Sequence, residues 1–217
     1  SEENSVSRSL EIAQMLLDAQ TVEAVVITAV DLAGSPEQVI LRQREIPLNT
    51  GKPTLSFDKR VNGWMIGEGA GSVILKRMDA AKKDKEKIYA TIDSIAFSRA
   101  TSSENFEECV KKAMKFAGIK PDQIGLLEVC GSGNSSYDKL EMEGLNRAFS
   151  GVKPHCAIGS VKANIGHTFA ASGMASLIKT ALCLYHRFIP GVPQWESPKT
   201  EINTRNIFYV PEESRPW

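Results

Sequence analysis

The pattern of apolar positions predicts helices that alternate with strands along most of the chain. In residues 4–19, Leu10, Ala13, Leu16 and Leu17 recur at helical spacing and share one face. Comparable patterns predict further helices over residues 104–117, about 137–149 and 168–187, and a short one that begins at Ser35-Pro36-Glu37. The predicted strands cover residues 22–30, 72–76, 88–96, 126–129 and 207–210, and a further strand-to-loop passage covers 157–166.

The apolar runs themselves indicate the fold class. Residues 22–30 read VEAVVITAV, and such a continuous β-branched run predicts a strand that is buried on both faces. Buried strands that alternate with helices are typical of a layered α/β architecture. Residues 46–71 are rich in Gly and Pro and predict irregular structure, and the charged segment 79–87 predicts a solvated turn at an internal boundary.

Composition and charge narrow the range of functions. The 217 residues include 42% hydrophobic and 24% charged residues, as in an ordinary soluble globular protein. Because 26 basic residues balance 26 acidic ones, charge gives no reason to expect nucleic-acid or membrane-surface binding. No apolar run is long enough to span a membrane, and no targeting segment is evident, so we expect a cytoplasmic protein.

The four cysteines are expected to be free thiols in a reducing compartment. They lie at positions 109, 130, 156 and 183 and include no CxxC pair. A zinc site built from Cys130, His155 and Cys156 would need two adjacent ligands, which is poor spacing, so we expect no bound metal.

A glycine-rich segment, GEGAG at 67–71, superficially suggests phosphate binding. It lacks the GxGxxG spacing, and a strand follows it where a phosphate-binding loop would lead into a helix. We therefore expect these glycines to allow a close approach of two backbones in a packed turn.

Two other loops carry the candidate chemistry. Residues 128–145 read EVCGSGNSSYDKLEMEGL, and residues 159–180 read GSVKANIGHTFAASGMASLIKT. Each leaves a predicted buried strand and enters a helix, which is where α/β folds collect their functional residues. The candidate residues that the two loops bring together are Cys130, Ser132, Asn134, Glu141, Lys162 and His167.

At these residues the chain resembles a known family. The second loop resembles the KxNIGHxxxAAG segment of β-ketoacyl synthases, the condensing enzymes of fatty-acid and polyketide assembly. Phe57-Asp58, Asn62-Gly63-Trp64 and GEGAG resemble the family's PFDxxRDGFxxGEGAG stretch, and the first loop resembles its EAHGTGTxxGDxxEA stretch. The resemblance covers nearly the whole chain and implies a thiolase-like α/β fold, layered α-β-α-β-α.

The resemblance also implies roles for individual residues. His167 matches the second catalytic histidine of the family and Lys162 its lysine, and Glu141 matches the carboxylate that pairs with that lysine. Ser132 and Asn134 stand where two threonines contact the phosphopantetheine arm of an acyl carrier protein. No tightly bound cofactor is implied.

Two catalytic positions depart from the family pattern. Cys130 stands where the family has its first histidine, and a thiol is too weak a donor to replace an imidazole that polarises a carbonyl. The family nucleophile is a cysteine at the start of a helix that corresponds to residues 4–19. Glu3 lies near that position, and no cysteine precedes Cys109. A carboxylate cannot serve as a thioester carrier as a thiolate does.

The resemblance covers only part of a ketosynthase. Residues 1–86 are expected to form the latter part of the N-terminal half and residues 87–217 most of the C-terminal half. The strands before the nucleophile helix and the Gly-rich loop beyond Trp217 are absent from the sequence, so we expect an incomplete fold.

Three functions are compatible with this pattern. The first is a chain-length factor, a non-condensing homologue that pairs with an active ketosynthase as a pseudo-symmetric dimer and shapes the acyl tunnel, as in polyunsaturated fatty-acid or polyketide synthesis. The second is an enzyme, in which a nucleophile lies upstream, Cys130 carries acyl groups, or Glu3 supports malonyl decarboxylation. The third is a scaffold with no effect on the acyl chain. The sequence leaves open whether the chain is catalytic.

Overall fold

The computed structural model describes residues 4–32, 34–99, 101–151, 155–202 and 207–217. The helices are α1 Ser5–Asp18, α2 Pro36–Gln43, α3 Met78–Lys83, α4 Ser103–Ala117, α5 Ser135–Ala148, α6 Lys162–Ile165 and α7 Phe169–His186. The strands are β1 Ala24–Asp31, β2 Gly69–Lys76, β3 Leu126–Glu128, β4 Cys156–Gly159, β5 Phe188–Ile189, β6 Phe208–Tyr209 and β7 Arg215–Pro216.

The first sheet consists of β1 and β2, which pair antiparallel from Ala24 opposite Lys76 to Asp31 opposite Gly69. One face of this sheet packs on α1 and α7. The core between them contains Val6, Ala13, Ile27, Ala29, Ala171 and Met174. Helix α7 therefore lies directly against β1 and β2, which come far earlier in the chain.

The opposite face of the first sheet corrects the prediction that residues 22–30 are buried on both sides. Burial alternates along β1, and Val26 and its partner Ile74 are 64% and 73% exposed. An alternating pattern results when only one face is covered. Among the described residues, no helix covers this outer face.

The second sheet is parallel and has the order β3-β4-β6. Helices α4 and α5 pack against each other, and Met114 of α4 and Met142 of α5 join the core of this sheet. The remaining buried apolar members of this core come from β4, β6, α5 and the loops: Leu55, Phe57, Val129, Leu145, Phe149, Ile158, Val192, Ile202 and Phe208 among them. The described residues thus form successive layers of sheet, helix, sheet and helix.

Two predicted elements differ in the structure. The predicted strand at residues 88–96 forms no regular element and pairs with no described strand, and Ser94 donates its Oγ to the Ala113 carbonyl of α4. The charged segment 79–87 is not wholly a turn, because its first half belongs to α3. Ala and Lys are strong helix formers, and the buried Ala81 anchors this short helix to the protein.

Two features of the irregular segment 46–68 position the functional loops. The buried Asp58 carboxylate binds Arg60 and also accepts from the backbone N–H of Glu196 at 2.7 Å, so it joins two distant loops. A side chain at Gly67 would lie 2.4 Å from the carbonyl oxygen of Ile165. This contact confirms the close backbone approach predicted for the GEGAG segment, and it sets the second functional loop against the start of β2.

Candidate functional site

The first loop is held by a carboxylate that binds its backbone. Glu141, on α5, accepts the N–H of Cys130 at 2.7 Å and the N–H of Gly131 at 3.0 Å. Gly131 has a φ of +51°, a conformation that a residue with a side chain rarely adopts. Glu141 thus closes the turn that leads from β3 into α5 and fixes the position of Cys130.

The environment of Glu141 changes its acidity. Burial raises its pKa to about 6, because a charged carboxylate is poorly solvated there, while the two N–H donors oppose that rise. Asp138 also raises the pKa and Lys162 lowers it. Burial is the larger effect, so near pH 6 a substantial fraction of this carboxyl is protonated, whereas an ordinary glutamate is ionised.

The two residues predicted to contact the phosphopantetheine arm both make internal hydrogen bonds. Ser132 donates its Oγ to Asp138 at 3.0 Å and accepts the N–H of Asn134. The side-chain oxygen of Asn134 caps α5 by accepting from Ser136 and Tyr137. The cap uses only the side-chain oxygen of Asn134. Its Nδ2 group is therefore a donor that the cap does not require.

The second loop reaches back to the first. Lys162, at the start of α6, donates its ammonium to the Cys130 carbonyl oxygen at 2.9 Å. Its Nζ also lies 3.8 Å from the Cys130 sulfur. The carbonyl of Cys130 accepts a second hydrogen bond, from Ser160 at 3.2 Å. The structure therefore brings Lys162, Glu141 and Cys130 together, as the sequence predicts.

The expected pairing of Lys162 with Glu141 is indirect. Lys162 donates to the Cys130 carbonyl, and Glu141 accepts the N–H groups of Cys130 and Gly131. The backbone of the loop therefore lies between the two charges. No direct ion pair joins these two described side chains. The correction has a physical reason, since each buried charge is already satisfied by backbone groups.

His167 is buried, and hydrogen bonds of its backbone and of its ring fix its orientation. Its backbone N–H donates to the Met65 carbonyl at 2.8 Å, and its Nδ1 accepts the N–H of Phe169 at 3.1 Å. An acceptor nitrogen carries no proton, so the neutral ring bears its proton on Nε2. His167 and Lys162 both line a small cleft, together with Thr54, Ser56 and Gly131. A ring in this tautomer can donate one hydrogen bond from Nε2 to an acyl oxygen.

Sequence reasoning missed a buried ion pair below the site. Glu128 accepts from Lys179 at 2.6 Å, from Ser176 at 3.2 Å and from the backbone N–H of Val161. Both charged groups are largely buried. A charge inside an otherwise apolar strand, Leu126 to Val129, was the available signal, because buried carboxylates need partners.

Further expectations concern the position of Glu3, a bound metal and a membrane span. Glu3, predicted to lie near the nucleophile position, is outside the described residues. In the parts of the chain that the structure describes, no group of three or more His, Cys, Asp or Glu side chains is placed to hold a metal ion. Across the same parts, none of the helices has the length and apolar character needed to cross a membrane.

The layered fold and its two facing strand-to-helix loops are those of a mixed α/β protein, and family models identify its class. A model of the β-ketoacyl synthase N-terminal domain matches residues 5–81, and a model of the C-terminal domain matches residues 68–196. The chain belongs to the β-ketoacyl synthase family.

Curated relatives are large synthases. The chain is 31% identical over 230 aligned residues to a polyunsaturated fatty acid synthase component of a Thraustochytrium species, a match that covers 99% of the chain and 11% of that protein. It is 30% identical to polyketide synthase PksL of Bacillus subtilis, where the match covers 95% of the chain and 5% of the relative. The chain therefore spans a small part of these relatives.

Solved structures define the fold. The chain matches the ketosynthase from module 6 of the bacillaene synthase of Bacillus subtilis with a TM-score of 0.90 and 29% identity, over 99% of the chain and 41% of that ketosynthase. A structure described as the PfaC ketosynthase–chain length factor matches with 39% identity and a TM-score of 0.72, over 83% of the chain and 18% of that protein. The fold is thiolase-like, and this chain represents only part of it.

Proposed function

We propose that this chain forms part of a chain-length factor, which pairs with an active β-ketoacyl synthase and shapes the tunnel for the growing acyl chain. The observation that carries the proposal is Cys130. It occupies the first-histidine position, its peptide is held on both sides by Glu141 and Lys162, and its thiol cannot polarise a thioester carbonyl as an imidazole does. The loop is thus retained in shape without the group that condensation requires.

The similarity to named proteins supports a particular pathway. The polyunsaturated fatty acid synthase component of Thraustochytrium and the PfaC ketosynthase–chain length factor both resemble this chain over most of its length. We therefore favour polyunsaturated fatty-acid synthesis over other polyketide systems. The partners in this proposal are an active ketosynthase domain, in a pseudo-symmetric dimer, and an acyl carrier protein, with both proteins in the cytoplasm.

The carrier would present its phosphopantetheine arm to the first loop. Ser132 and Asn134 lie side by side at the start of α5, and the Nδ2 of Asn134 is available to donate to an amide carbonyl of the arm. The adjacent His167 would then face the thioester end of the arm, where its Nε2–H can bind the acyl oxygen.

The first test measures decarboxylation by the intact protein with isotopically labelled malonyl carrier. We expect CO₂ release close to background for the natural protein and an increase of about tenfold or more for Cys130→His, since one positioned donor to an enolate contributes roughly 10²-fold or more to such rates. Cys130→Ala is the matched control and should remain at background. Steady decarboxylation by the natural protein would contradict the proposal.

A second candidate function is acyl transfer through Cys130 itself. The observation that favours it is the ammonium of Lys162, 3.8 Å from an exposed sulfur, because a nearby cation stabilises a thiolate. Sequence spacing alone placed no basic residue close to this thiol. Mass spectrometry of the intact protein after incubation with acyl carrier distinguishes the two functions. A stable acyl adduct that is lost in Cys130→Ser would favour the second candidate, and an unmodified protein favours the chain-length factor.

A further inference from the structure

The ring of Phe169 lies between a cation and the imidazole of the candidate site. The guanidinium carbon of Arg42 is 3.5 Å from the Phe169 ring centroid, and the His167 ring is stacked on Phe169 with 4.2 Å between centroids and 22° between planes. Two planar groups cannot share one face of a ring at these distances. Arg42 and His167 therefore occupy opposite faces of Phe169.

The backbone of Phe169 is part of the same arrangement. Its N–H is the donor to Nδ1 of His167, and its φ of +31° is uncommon for a residue with a side chain. Such a conformation persists only where the surroundings hold it. Trp64 helps to stabilise this conformation, because its ring packs edge-on against the Phe169 ring with 5.2 Å between the ring centroids.

Arg42 is in turn held by Asp31 of β1. Its guanidinium lies 3.5 Å from a carboxylate oxygen of Asp31, at the end of β1, and the same oxygen accepts the backbone N–H of Ala170. Asp31 thus binds both the cation over Phe169 and the first turn of α7, where Phe169 is located. The stack connects α2, β1 and α7 at the point where His167 enters the site.

We propose that Phe169 is a positioning residue for His167. The Phe169 ring, with Arg42 packed on its far face, holds the imidazole of His167 in one orientation. The Phe169 N–H then stays on Nδ1, so the neutral imidazole bears its proton on Nε2 alone. The biological use of this arrangement rests on the proposed acyl-binding site, whereas the arrangement itself can be measured without any acyl substrate.

The experiment is imidazole nitrogen NMR on the full chain, above the pH at which its histidines become charged. The chain has three histidines, and His167→Gln assigns the signal of interest. We expect His167 as a single Nε2–H tautomer in the natural protein. In Phe169→Leu, the Nδ1–H population should rise by about tenfold, which is the scale of one lost stacking and cation–π contact. Phe169→Tyr keeps the ring and should retain the single tautomer.

Two further variants separate positioning from folding. Arg42→Gln leaves Phe169 in place and should shift the tautomer population in the same direction, by a smaller factor, with circular dichroism unchanged. Phe116→Leu is the control: it removes an exposed ring on α4 over which the Lys112 ammonium lies. It should leave the tautomer of His167 unaffected. A natural tautomer ratio in both Phe169→Leu and Arg42→Gln would overturn the proposal. Failure of the chain-length function, with these shifts observed, would overturn only the function.

Discussion

Glu141 illustrates how a single buried carboxylate can both build and tune the site. Its two oxygens satisfy two backbone donors in the Cys130–Gly131 turn. Leaving a buried donor without a partner costs roughly 1–3 kcal/mol. Loss of either carboxylate oxygen is therefore expected to destabilise the turn.

We predict that Glu141→Gln lowers the free energy of unfolding by about 1–3 kcal/mol, because an amide has one acceptor oxygen where the carboxylate has two. Urea denaturation at pH 7 measures this change. Glu143→Gln is the matched control on the same helix. Its ion pair with Lys139, at 3.9 Å, is exposed, so this variant should change stability by less than about 0.5 kcal/mol.

Glu141 also gives the stability of the protein a pH dependence of defined sign. Its pKa is about 6 in the folded protein, above the ordinary value of 4.5. The folded state therefore binds the proton more tightly than the unfolded state, and the contribution of this group to stability decreases as pH rises from 4.5 to 6. We expect the natural protein to show this decrease relative to Glu141→Gln in denaturation curves at several pH values. Parallel pH profiles for the two proteins would contradict the assignment.

At the scale of elements, the ion pair of Glu128 and Lys179 joins the end of β3 to the middle of α7. The same carboxylate binds the N–H of Val161, so the strand, the long helix and the second functional loop meet at one group. Both charges are largely buried. A buried pair of this kind stabilises little relative to an apolar replacement, but it is costly to break from one side.

We predict that Lys179→Met lowers the free energy of unfolding by about 3–5 kcal/mol, since it leaves the Glu128 charge buried and uncompensated. The double variant Glu128→Gln, Lys179→Met should recover part of that loss, and a double-mutant cycle from chemical denaturation gives the coupling. The control is Lys111→Met, which breaks the exposed pair with Glu107 and should cost about 0.5 kcal/mol or less. Equal losses in the two single lysine variants would contradict the role given to Glu128.

The sequence predicted most elements because their signals are local. The Ser35 side chain accepts from the N–H of Gln38 and caps α2, as the Ser35-Pro36-Glu37 sequence predicted, and α4 ends at the left-handed Gly118. The strand predicted at residues 88–96 failed for a non-local reason. A strand is defined by the strand that pairs with it, and no described strand pairs with this segment, although its composition is that of a strand.

The same distinction applies to the site. The meeting of Cys130, Lys162, Glu141 and His167 was predictable because the two loops resemble family segments whose residues converge. The particular hydrogen bonds were not predictable. Lys162 binds a carbonyl where direct pairing with Glu141 was expected, and Phe169 looked like an ordinary apolar residue at the start of a helix. Such contacts join residues far apart in the sequence, Lys162 with Cys130 and Phe169 with Arg42, so no local pattern predicts them.

At the scale of the whole molecule, the outer face of the β1–β2 sheet is the largest departure from expectation. Val26, Val30 and Ile74 expose apolar side chains on a sheet whose other face is packed. Contiguous exposed apolar surface of this kind promotes association. The chain spans 41% of the similar bacillaene ketosynthase, so a larger protein has ample further sequence with which to cover this face.

We predict that the 217-residue chain by itself self-associates through this face. The double variant Val26→Thr, Ile74→Thr keeps β-branched residues on both strands while removing apolar surface, so it should shift the chain towards monomer in sedimentation velocity. Ile92→Thr alters an exposed apolar residue in the extended segment and serves as the control. Unchanged association in the double variant, with normal circular dichroism, would show that another surface is responsible.

The manner in which Cys130 is held has a consequence for how such a domain changes over evolutionary time. Glu141, Lys162 and Ser160 all bind main-chain atoms of residues 130 and 131, and these atoms are the same whatever side chain occupies position 130. Replacement of that side chain therefore leaves the anchoring of the loop intact. A lineage can lose or regain a reactive group at this position through single substitutions that the fold tolerates, which makes it a natural place for an enzyme and a non-enzyme to diverge.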